Sequence, residues 1–322
     1  MSTFPGDFLS VDDLATDQIV QLLDLADQFK RERDRQVASG EPVARGELAG
    51  RTVALVFEKP STRTRVSFQV AVAELGGHPL SLSAAELQLG RGETIADTGA
   101  VLSRYVHAIV VRTFGQDRLD ELALAADVPV VNALTDREHP CQAMADLQVF
   151  RQVFGGFDGR TLTYVGDGNN VAHSLLLAGA KVGLSIRVAH PAGYGPDMSI
   201  VGRARQIAST SGAEITVTTD PVAAVDNSHA VYADVWASMG QESEAEQRSA
   251  TFVPYQVTAQ LMSHAAPDAI FLHCLPAHRG EEVTGDVIDG DASRVFDQAE
   301  NRLHAQKALL ALLVGGAGKE HA

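Results

Sequence analysis

Short apolar segments alternate with amphipathic ones along most of the chain, and this alternation restricts the possible folds more than any other sequence feature. The apolar segments have the composition of buried strands, whereas the segments between them place apolar residues at helical spacing. Strands that alternate with helices predict a parallel sheet covered by helices. The expected strands are 51–58, 79–83, 107–113, 128–133, 161–166, 184–189, 214–218, 229–233 and 269–272.

The length of the chain predicts two domains. Its 322 residues exceed what one hydrophobic core normally accommodates, since single cores stop growing at roughly 250 to 300 residues. A predicted helix at 140–154 ends at Gly155-Gly156, which marks a domain boundary. The expected fold class is therefore α/β, with two doubly wound parallel-sheet domains. The other main helices are expected near 10–35, 64–75, 94–105, 117–126 and 299–314.

Charge and cysteine content exclude several classes of protein. The formal net charge of −15 argues against nucleic acid or an anionic membrane as a partner, because such polyanions are held by clustered Lys and Arg. Cys141 and Cys274 match no zinc or CxxC spacing, so no metal site and no disulfide framework is expected. With no leader-like or membrane-spanning segment recognisable, the expected location is the cytoplasm.

The segment FEKPSTRTR, residues 57–65, follows the first predicted strand. Its hydroxyl groups can cap the next helix, while the free backbone amides and the fork of Arg63 bind phosphate oxygens. The alternative is an ordinary helix cap with two solvated arginines. The segment predicts an anion site at the carboxyl end of this strand.

Four further polar groups follow predicted strands. Arg112 ends the strand 107–113, and His139 stands before Pro140 at a helix start, with Gln142 one turn later. An imidazole at that position can donate to a polarised carbonyl. The other two are His273-Cys274-Leu275-Pro276 and Asp234-Val235-Trp236-Ala237-Ser238-Met239-Gly240. Ligands of open α/β sheets bind at such strand ends, although each group alone also fits a structural role.

The turn Gly166-Asp167-Gly168-Asn169-Asn170 offers a competing interpretation. It follows a strand and opens a helix, as a dinucleotide fingerprint does, but position 171 is Val rather than a third Gly. The next predicted strand ends at Ala189-His190-Pro191, without an acidic partner for a ribose. A Rossmann-type NAD-dependent dehydrogenase is the weaker hypothesis.

Seven motifs together resemble a known family. In this order and spacing, STRTR, RTF, HPCQ, GDGNN, DVWASMG, HCLP and AENR closely resemble the transcarbamoylases, and among them the ornithine carbamoyltransferases, from about residue 8 to 314. Aspartate-using relatives have HPLPR where this chain has HCLP, and they lack the Ser-Met-Gly loop. The resemblance implies a carbamoyl-phosphate-binding domain at 1–150 and an ornithine-binding domain at 151–298. Interdomain helices would join them, and helix 299–316 would pack back on the first domain.

The resemblance also implies a reaction and its residues. The carbamoyl group of carbamoyl phosphate would pass to the δ-amine of L-ornithine, giving citrulline and phosphate for arginine biosynthesis, with no metal or organic cofactor. Carbamoyl phosphate would be bound by Ser61, Thr62, Arg63, Thr64, Gln88, Arg112, His139, Gln142, Cys274, Leu275 and Arg302. L-Ornithine would be bound by Leu134, Asn170, Asp234, Ser238, Met239 and Cys274. The implied catalytic residues are Arg63, Arg112, His139, Cys274 and Arg302.

Within that set the roles differ. The 61–64 turn and Arg112 would hold the phosphate. The carbamoyl oxygen would be contacted by His139, Arg112, Thr64 and Arg302. Gln142 and the carbonyls of Cys274 and Leu275 would accept from the carbamoyl amide. Asp234 would anchor the α-ammonium group, and Cys274 would face the δ-nitrogen of ornithine.

The segment Gln88–Thr94 corresponds to a family loop that completes a neighbouring subunit's phosphate pocket. Such a head-to-tail contact closes into a ring, so the resemblance implies a homotrimer. Some relatives have a lysine where this chain has Gly92, next to Arg91. A sibling substrate, putrescine or acetylornithine, is the alternative; Asp234 with the Ser238-Met239-Gly240 loop favours a free α-amino acid instead.

Overall fold

The structure is a computed structural model that describes residues 4–83, 92–237 and 245–315. The chain divides into two compact units, Met1–Gln148 with Glu300–Ala322, and Val149–Ala299. The chain crosses from one unit to the other between Gln148 and Val149 and between Ala299 and Glu300, and both positions lie inside helices. Within the described ranges, every helix is too short or too polar to cross a bilayer.

The first unit is built on a four-stranded parallel sheet. After a 3-10 turn at Val11–Asp13, its elements are α1 (Thr16–Ser39), β1 (Thr52–Phe57), α2 (Thr62–Glu74), β2 (His78–Ser83), α3 (Ile95–Leu102), β3 (Ala108–Arg112), α4 (Gln116–Ala125), β4 (Val130–Leu134) and α5 (Pro140–Phe154). The strand order is β2-β1-β3-β4. Phe57 pairs with Arg112, and Arg112 with Leu134, so these three strands end at the same edge of the sheet.

The second unit contains a five-stranded parallel sheet. Its elements are β5 (Thr161–Val165), α6 (Asn170–Val182), β6 (Ser185–Ala189), α7 (Met198–Ser211), β7 (Ile215–Thr218), α8 (Pro221–Val225), β8 (Ala230–Ala233), α9 (Ala245–Phe252), a 3-10 turn at Val253–Tyr255, α10 (Ala259–Met262), β9 (Ile270–His273), α11 (Gly285–Ile288) and α12 (Val295–Leu310), followed by a π-helical turn at Ala311–Gly315. The strand order is β7-β6-β5-β8-β9. Ala233 pairs with both Val165 and His273, so the turns after β5, β8 and β9 start from one edge.

The central strands β1 and β3 of the first sheet form where the sequence is largely apolar on both faces. All five residues of β3 and five of the six residues of β1 are buried, as expected for parallel strands covered by helices on both sides. Helix α1 instead buries one stripe. That stripe contains Ile19, Leu22, Leu23, Ala26 and Phe29, which recur at spacings of one turn.

The predicted fold class is confirmed, and each of the nine predicted strands corresponds to a strand of the structure. Many bounds differ from the predicted ones, and three of these differences have a clear structural description. The opening is a 3-10 turn and one helix, α1, rather than helices from residue 10. The last helix starts at Val295, before the predicted 299, because Val295 packs into the core of the second unit. His273 lies inside β9 rather than after it, since it pairs with Ala233.

A buried histidine of α12 gives the fold a pH dependence. Burial lowers the pKa of His304 to about 4, below the ordinary value of 6.5, although Glu300 at 3.5 Å opposes the shift. Between pH 6.5 and about 4 the unfolded chain therefore binds a proton here that the folded chain does not. The contribution of His304 to stability is fully present above pH 6.5 and decreases as the pH falls toward 4.

We expect His304→Gln to lose less stability than the unsubstituted chain when the pH is lowered from 7.5 to 5. The linkage relation puts the difference at about 2 kcal/mol. Urea unfolding of both proteins at the two pH values measures it. Equal losses in the two proteins would mean that His304 binds its proton equally in the folded and unfolded chains.

Candidate functional site

The turn between β1 and α2 is capped by its own serine. Ser61 has an extended backbone (φ −162°, ψ 113°), and its Oγ accepts a hydrogen bond from the Thr64 amide at 3.3 Å. The amides of Thr62 and Arg63 lie in the first turn, where the helix provides no acceptor. Such amides, at the positive end of the helix dipole, attract anions. The helix cap anticipated at this turn is present.

Three guanidinium groups act on the imidazole of His139. Burial lowers the pKa of His139 well below its ordinary value, and the charges of Arg302, Arg112 and Arg63 lower it further. Arg302 also donates from Nη2 to the hydroxyl of Thr64. We call Arg63, Thr64, Arg112, His139 and Arg302 the arginine cluster. It keeps a histidine neutral at physiological pH while concentrating positive charge in an acidic molecule.

Nε of Arg63 and Oε1 of Gln142 are buried near these residues without a hydrogen-bond partner in the described parts of the chain. The other end of the Gln142 amide is occupied, because its Nε2 donates to Asp146 at 2.8 Å. Buried polar groups normally have partners, and leaving them unpaired is costly. The pair therefore offers one donor and one acceptor to a bound ligand.

Lys59 connects the loops that follow three strands. It lies after β1, its ammonium group forms an ion pair with Asp136 after β4, and it stands 4.4 Å from the ring centroid of Phe114 after β3. The side chain of Lys59 is 8% exposed. The same loops carry the 61–64 turn, Arg112 and His139. Lys59 thus joins the three loops next to Arg63, Arg112 and His139, and local sequence gave no signal of this role.

Glu138 holds the segment that leads into α5. It is 2% exposed and accepts hydrogen bonds from the hydroxyl of Ser10 at 2.6 Å and the amide of Val11 at 3.0 Å. Burial raises the pKa of Glu138, and these two hydrogen bonds oppose that shift. The backbone carbonyl of His139 accepts from the Gln142 amide at 3.1 Å. His139 is therefore held on both sides in the predicted position before the helix.

In the second unit, Asp234 follows β8 and is 7% exposed. Its Oδ1 accepts from the Val235 amide at 2.9 Å and lies 3.0 Å from the donating Sγ of Cys274. Its Oδ2 accepts from Nδ2 of Asn169 at 2.7 Å. We call Asn169, Asp234 and Cys274 the aspartate cluster. The cluster presents a carboxylate and a thiol at the carboxyl edge of the second sheet.

Asn169 is a residue that sequence reasoning missed. Its Oδ1 caps α6 by accepting from the amides of Val171 at 2.9 Å and Ala172 at 3.3 Å, which frees Nδ2 for Asp234. The predicted Asn170 is the first residue of α6. Asparagine before a helix is a recognisable cap signal, but the contact to Asp234 depends on the pairing of β5 with β8.

The glycine turn before α6 has a packing explanation. A Cβ added at Gly168 would lie 2.1 Å from the backbone nitrogen of Pro196. Asp167 in the same turn forms an ion pair with Arg248 at 2.8 Å, and Arg248 also donates to the carbonyl of Trp236 at 3.0 Å. Gly168 is therefore needed for close approach of two backbone segments. The glycines alone give no reason to expect a dinucleotide.

His273 organises the loop that carries Cys274 and Leu275. Its Nδ1 accepts from the Leu275 amide at 2.9 Å, and its Nε2 lies 3.1 Å from Oε1 of Glu282. Both side chains are fully buried. Leu275 adopts a left-handed backbone (φ 57°), which is uncommon for a branched side chain. The His273–Glu282 pair fixes this conformation.

The donor atoms of Asp234, His273 and Cys274 lie within 4.8 Å of one another, as metal ligands can. Both ring nitrogens of His273 are already hydrogen-bonded, however, and Asp234 is held by three donors. The arrangement fits a hydrogen-bond network better than a metal centre.

Some of the residues predicted from the sequence lie outside the described ranges, and the carbonyl of one other already accepts a hydrogen bond. Gln88, Arg91, Ser238 and Met239 lie outside the described residues. The carbonyl of Leu134, at the end of β4, already accepts from the Thr113 amide at 3.0 Å and keeps one lone pair. The structure brings Arg63, Thr64, Arg112, His139 and Arg302 together in the first unit, and Asp234 and Cys274 together in the second.

Two family models match consecutive parts of the chain. Residues 6–152 match the family model for the carbamoyl-P binding domain of aspartate/ornithine carbamoyltransferase. Residues 158–313 match the model for the Asp/Orn binding domain of the same family.

Individual relatives are similar over almost their whole lengths. Ornithine carbamoyltransferase of Parafrankia sp. (strain EAN1pec) is 57% identical over 308 residues, which are 95% of each chain. The anabolic ornithine carbamoyltransferase of Pyrococcus furiosus is 53% identical over 310 residues, 96% of each chain. The solved structure of ornithine carbamoyltransferase from P. furiosus superposes with a TM-score of 0.93 at 52% identity and covers 98% of this chain and all of its own. With both family models matched and identities above one half, the chain belongs to the aspartate/ornithine carbamoyltransferase family.

Proposed function

We propose that the protein transfers the carbamoyl group of carbamoyl phosphate to the δ-amine of L-ornithine, giving L-citrulline and phosphate. The observation that carries this proposal is the arginine cluster: three guanidinium groups around a neutral, buried His139 beside a capped helix start. The relatives named ornithine carbamoyltransferase support it. The anabolic name of the P. furiosus relative supports a role in arginine biosynthesis.

The first unit and the 1–150 region are proposed to bind carbamoyl phosphate. The 61–64 turn and Arg112 hold the phosphate, and Arg63 offers its buried Nε to it. The carbamoyl oxygen is held by His139, Arg112, Thr64 and Arg302. The open Oε1 of Gln142 accepts from the carbamoyl amide, with the carbonyls of Cys274 and Leu275 proposed for the same group.

The chemistry follows from where charge develops. The δ-nitrogen of ornithine attacks the carbamoyl carbon, a C–N bond forms, and the C–O bond to phosphate breaks. Negative charge accumulates on the carbamoyl oxygen, and cationic donors that are already fixed stabilise it without reorganising. A neutral imidazole at His139 still donates one N–H and leaves the positive charge to the arginines. The proton released by the amine passes to the departing phosphate.

The second unit, with residues 151–298, is proposed to bind L-ornithine. Asp234 anchors the α-ammonium group, Cys274 faces the δ-nitrogen, and Asn170, Leu134, Ser238 and Met239 complete the site. A free alkyl ammonium has a pKa of about 10.4, so the enzyme must bind ornithine with its δ-amine deprotonated.

Substrate choice provides the test. Purified protein with carbamoyl phosphate should form citrulline from ornithine, and much less product from putrescine or acetylornithine, because these lack one charged α-group of ornithine. Faster product formation from putrescine or acetylornithine would assign the protein to a sibling activity. NADH binding detected by absorbance would revive the dehydrogenase interpretation, which the comparisons do not support.

Assembly and location are part of the proposal. The Gln88–Thr94 segment supports a homotrimer in which each loop completes a neighbouring site. Light scattering should give three times the chain mass of 34.2 kDa. Two free cysteines agree with a cytoplasmic location.

Replacing Cys274 with alanine is expected to raise the KM for ornithine about fivefold and leave the KM for carbamoyl phosphate within twofold. The thiol contributes one hydrogen bond to Asp234, which is worth about 1 kcal/mol. Steady-state kinetics of Cys274→Ala measure this change. Cys141→Ala is the matched control, because burial raises the pKa of Cys141 to about 12 and its thiol donates to the carbonyl of Asn132. An unchanged KM for ornithine in Cys274→Ala would contradict the assigned contact.

A further inference from the structure

Helix α12 carries a lysine that is buried almost completely. The side chain of Lys307 is 1% exposed, and its Nζ donates to Oε2 of Glu74 at 2.7 Å. The other oxygen of Glu74 accepts from Nε of Arg33 at 2.9 Å. The ring of Phe29 lies 5.4 Å from the same Nζ. Exposure rises from Lys307 through Glu74 at 11% to Arg33 at 29%, so the chain of charges runs from the interior toward solvent.

This ion pair is the second attachment of α12 to α2. Arg302, in the same helix, donates to Thr64 in the first turn of α2, whereas Lys307 donates to Glu74, the last residue of α2. All four residues belong to the first unit. Lys30 of α1 also donates to Asn301 of α12 at 2.8 Å, but this contact lies on the same turn of α12 as Arg302 and so leaves the following turns to be held by other contacts. Two contacts at opposite ends of α2 fix the direction of α12 and hence the position of the Arg302 guanidinium.

Stability alone does not explain the pair. Moving an ammonium and a carboxylate out of water costs about as much as their attraction returns, so two apolar side chains would hold these helices equally well. An ion pair differs in its specificity, because a buried ammonium left away from its carboxylate is strongly destabilising. We propose that Glu74 and Lys307 are positioning residues: they set Arg302 against Thr64, and through Thr64 they hold the 61–64 turn in the position in which it binds phosphate. This proposal rests on the proposed function of the first unit as the phosphate-binding part.

The test uses variants that separate position from folding. Lys307→Met and Glu74→Gln each leave one charged partner of the pair buried without the other. The double variant E74Q/K307M removes both charges. It is therefore expected to fold even where a single variant does not. Lys307→Arg keeps the charge and serves as the rescue. Arg33→Met is the matched control, since it removes only the solvent-facing arm of the network.

Two readouts are measured on the full-length protein: inorganic phosphate affinity by calorimetry, and the KM for each substrate. In E74Q/K307M we expect phosphate affinity to fall about tenfold and the KM for carbamoyl phosphate to rise by a similar factor. The KM for ornithine should stay within twofold, Arg33→Met should resemble the unsubstituted protein, and Lys307→Arg should recover most of the affinity.

A folded double variant with unchanged phosphate affinity would overturn the proposal, because the pair would then contribute to folding alone. Equal rises in the KM values for both substrates would overturn it as well, since they would indicate general disorder. If the unsubstituted protein formed no citrulline yet bound phosphate, the proposed function would fail, and the calorimetric arm would still decide the role of Glu74 and Lys307.

Discussion

Arg63→Ala is expected to lower kcat/KM for carbamoyl phosphate at least a hundredfold, with the melting temperature close to that of the unsubstituted protein. Nε of Arg63 is buried without a partner in the described residues, and its charge is one of three that act on His139. Removing a charged partner of a bound phosphate costs on the order of 3 kcal/mol, which corresponds to about a hundredfold in rate. Steady-state kinetics with carbamoyl phosphate as the varied substrate measure the loss.

Arg65→Ala is the matched control for this experiment. Arg65 lies two residues further along the same helix and is exposed, so its removal should change kcat/KM less than threefold. A loss of less than tenfold in Arg63→Ala would remove Arg63 from the catalytic set. A comparable loss in both variants would show that the overall charge of the helix start matters, and not the guanidinium of Arg63.

Asp234→Asn is expected to raise the KM for ornithine about a hundredfold and to leave the KM for carbamoyl phosphate within twofold. The substitution removes the negative charge proposed to meet the α-ammonium group. The two carboxylate oxygens of Asp234 accept hydrogen bonds from Asn169 and Cys274, and the substitution replaces one of these oxygens with an amide group that donates. A hydrogen bond to a charged group contributes roughly 1.5 to 3 kcal/mol, and the upper end corresponds to more than a hundredfold in affinity.

The control is Asp268→Asn, which neutralises an exposed carboxylate in the same unit. It should leave both KM values unchanged. If Asp234→Asn instead lowered kcat with both KM values constant, Asp234 would act on the reacting atoms and not as the anchor of the α-ammonium group. Kinetics of Asp234→Asn with putrescine provide a second check. Putrescine has no α-carboxylate, so it cannot use the other contacts proposed for the α-amino acid end of ornithine.

Local sequence was sufficient for the elements and for part of the first cluster. The β-branched runs fixed the strands, because burial on both faces of a parallel sheet demands continuous apolar residues. Ser61 could be identified as a cap, and His139 as the residue before a helix, because both signals depend on backbone groups within one turn. Such signals depend only on residues that are close in sequence, so they can be recognised without knowledge of the fold.

The order of strands and the neighbours of each side chain were decided by the tertiary structure. Alternation predicted parallel sheets, but only the structure placed β5 between β6 and β8 and so brought Asn169 to Asp234. Sequence likewise gave no reason to connect Lys59 with Asp136, or Lys307 with Glu74.

The neutral state of His139 shows the physical reason most clearly. Its position before α5 follows from the sequence, whereas its lowered pKa depends on burial and on charges from Arg302 and Arg112, which come from other elements. Desolvation and Coulomb interactions act through space over a few ångströms, regardless of separation along the chain. The sequence by itself therefore determined which elements form and where polar groups follow them, and the packing of those elements decided which charges meet.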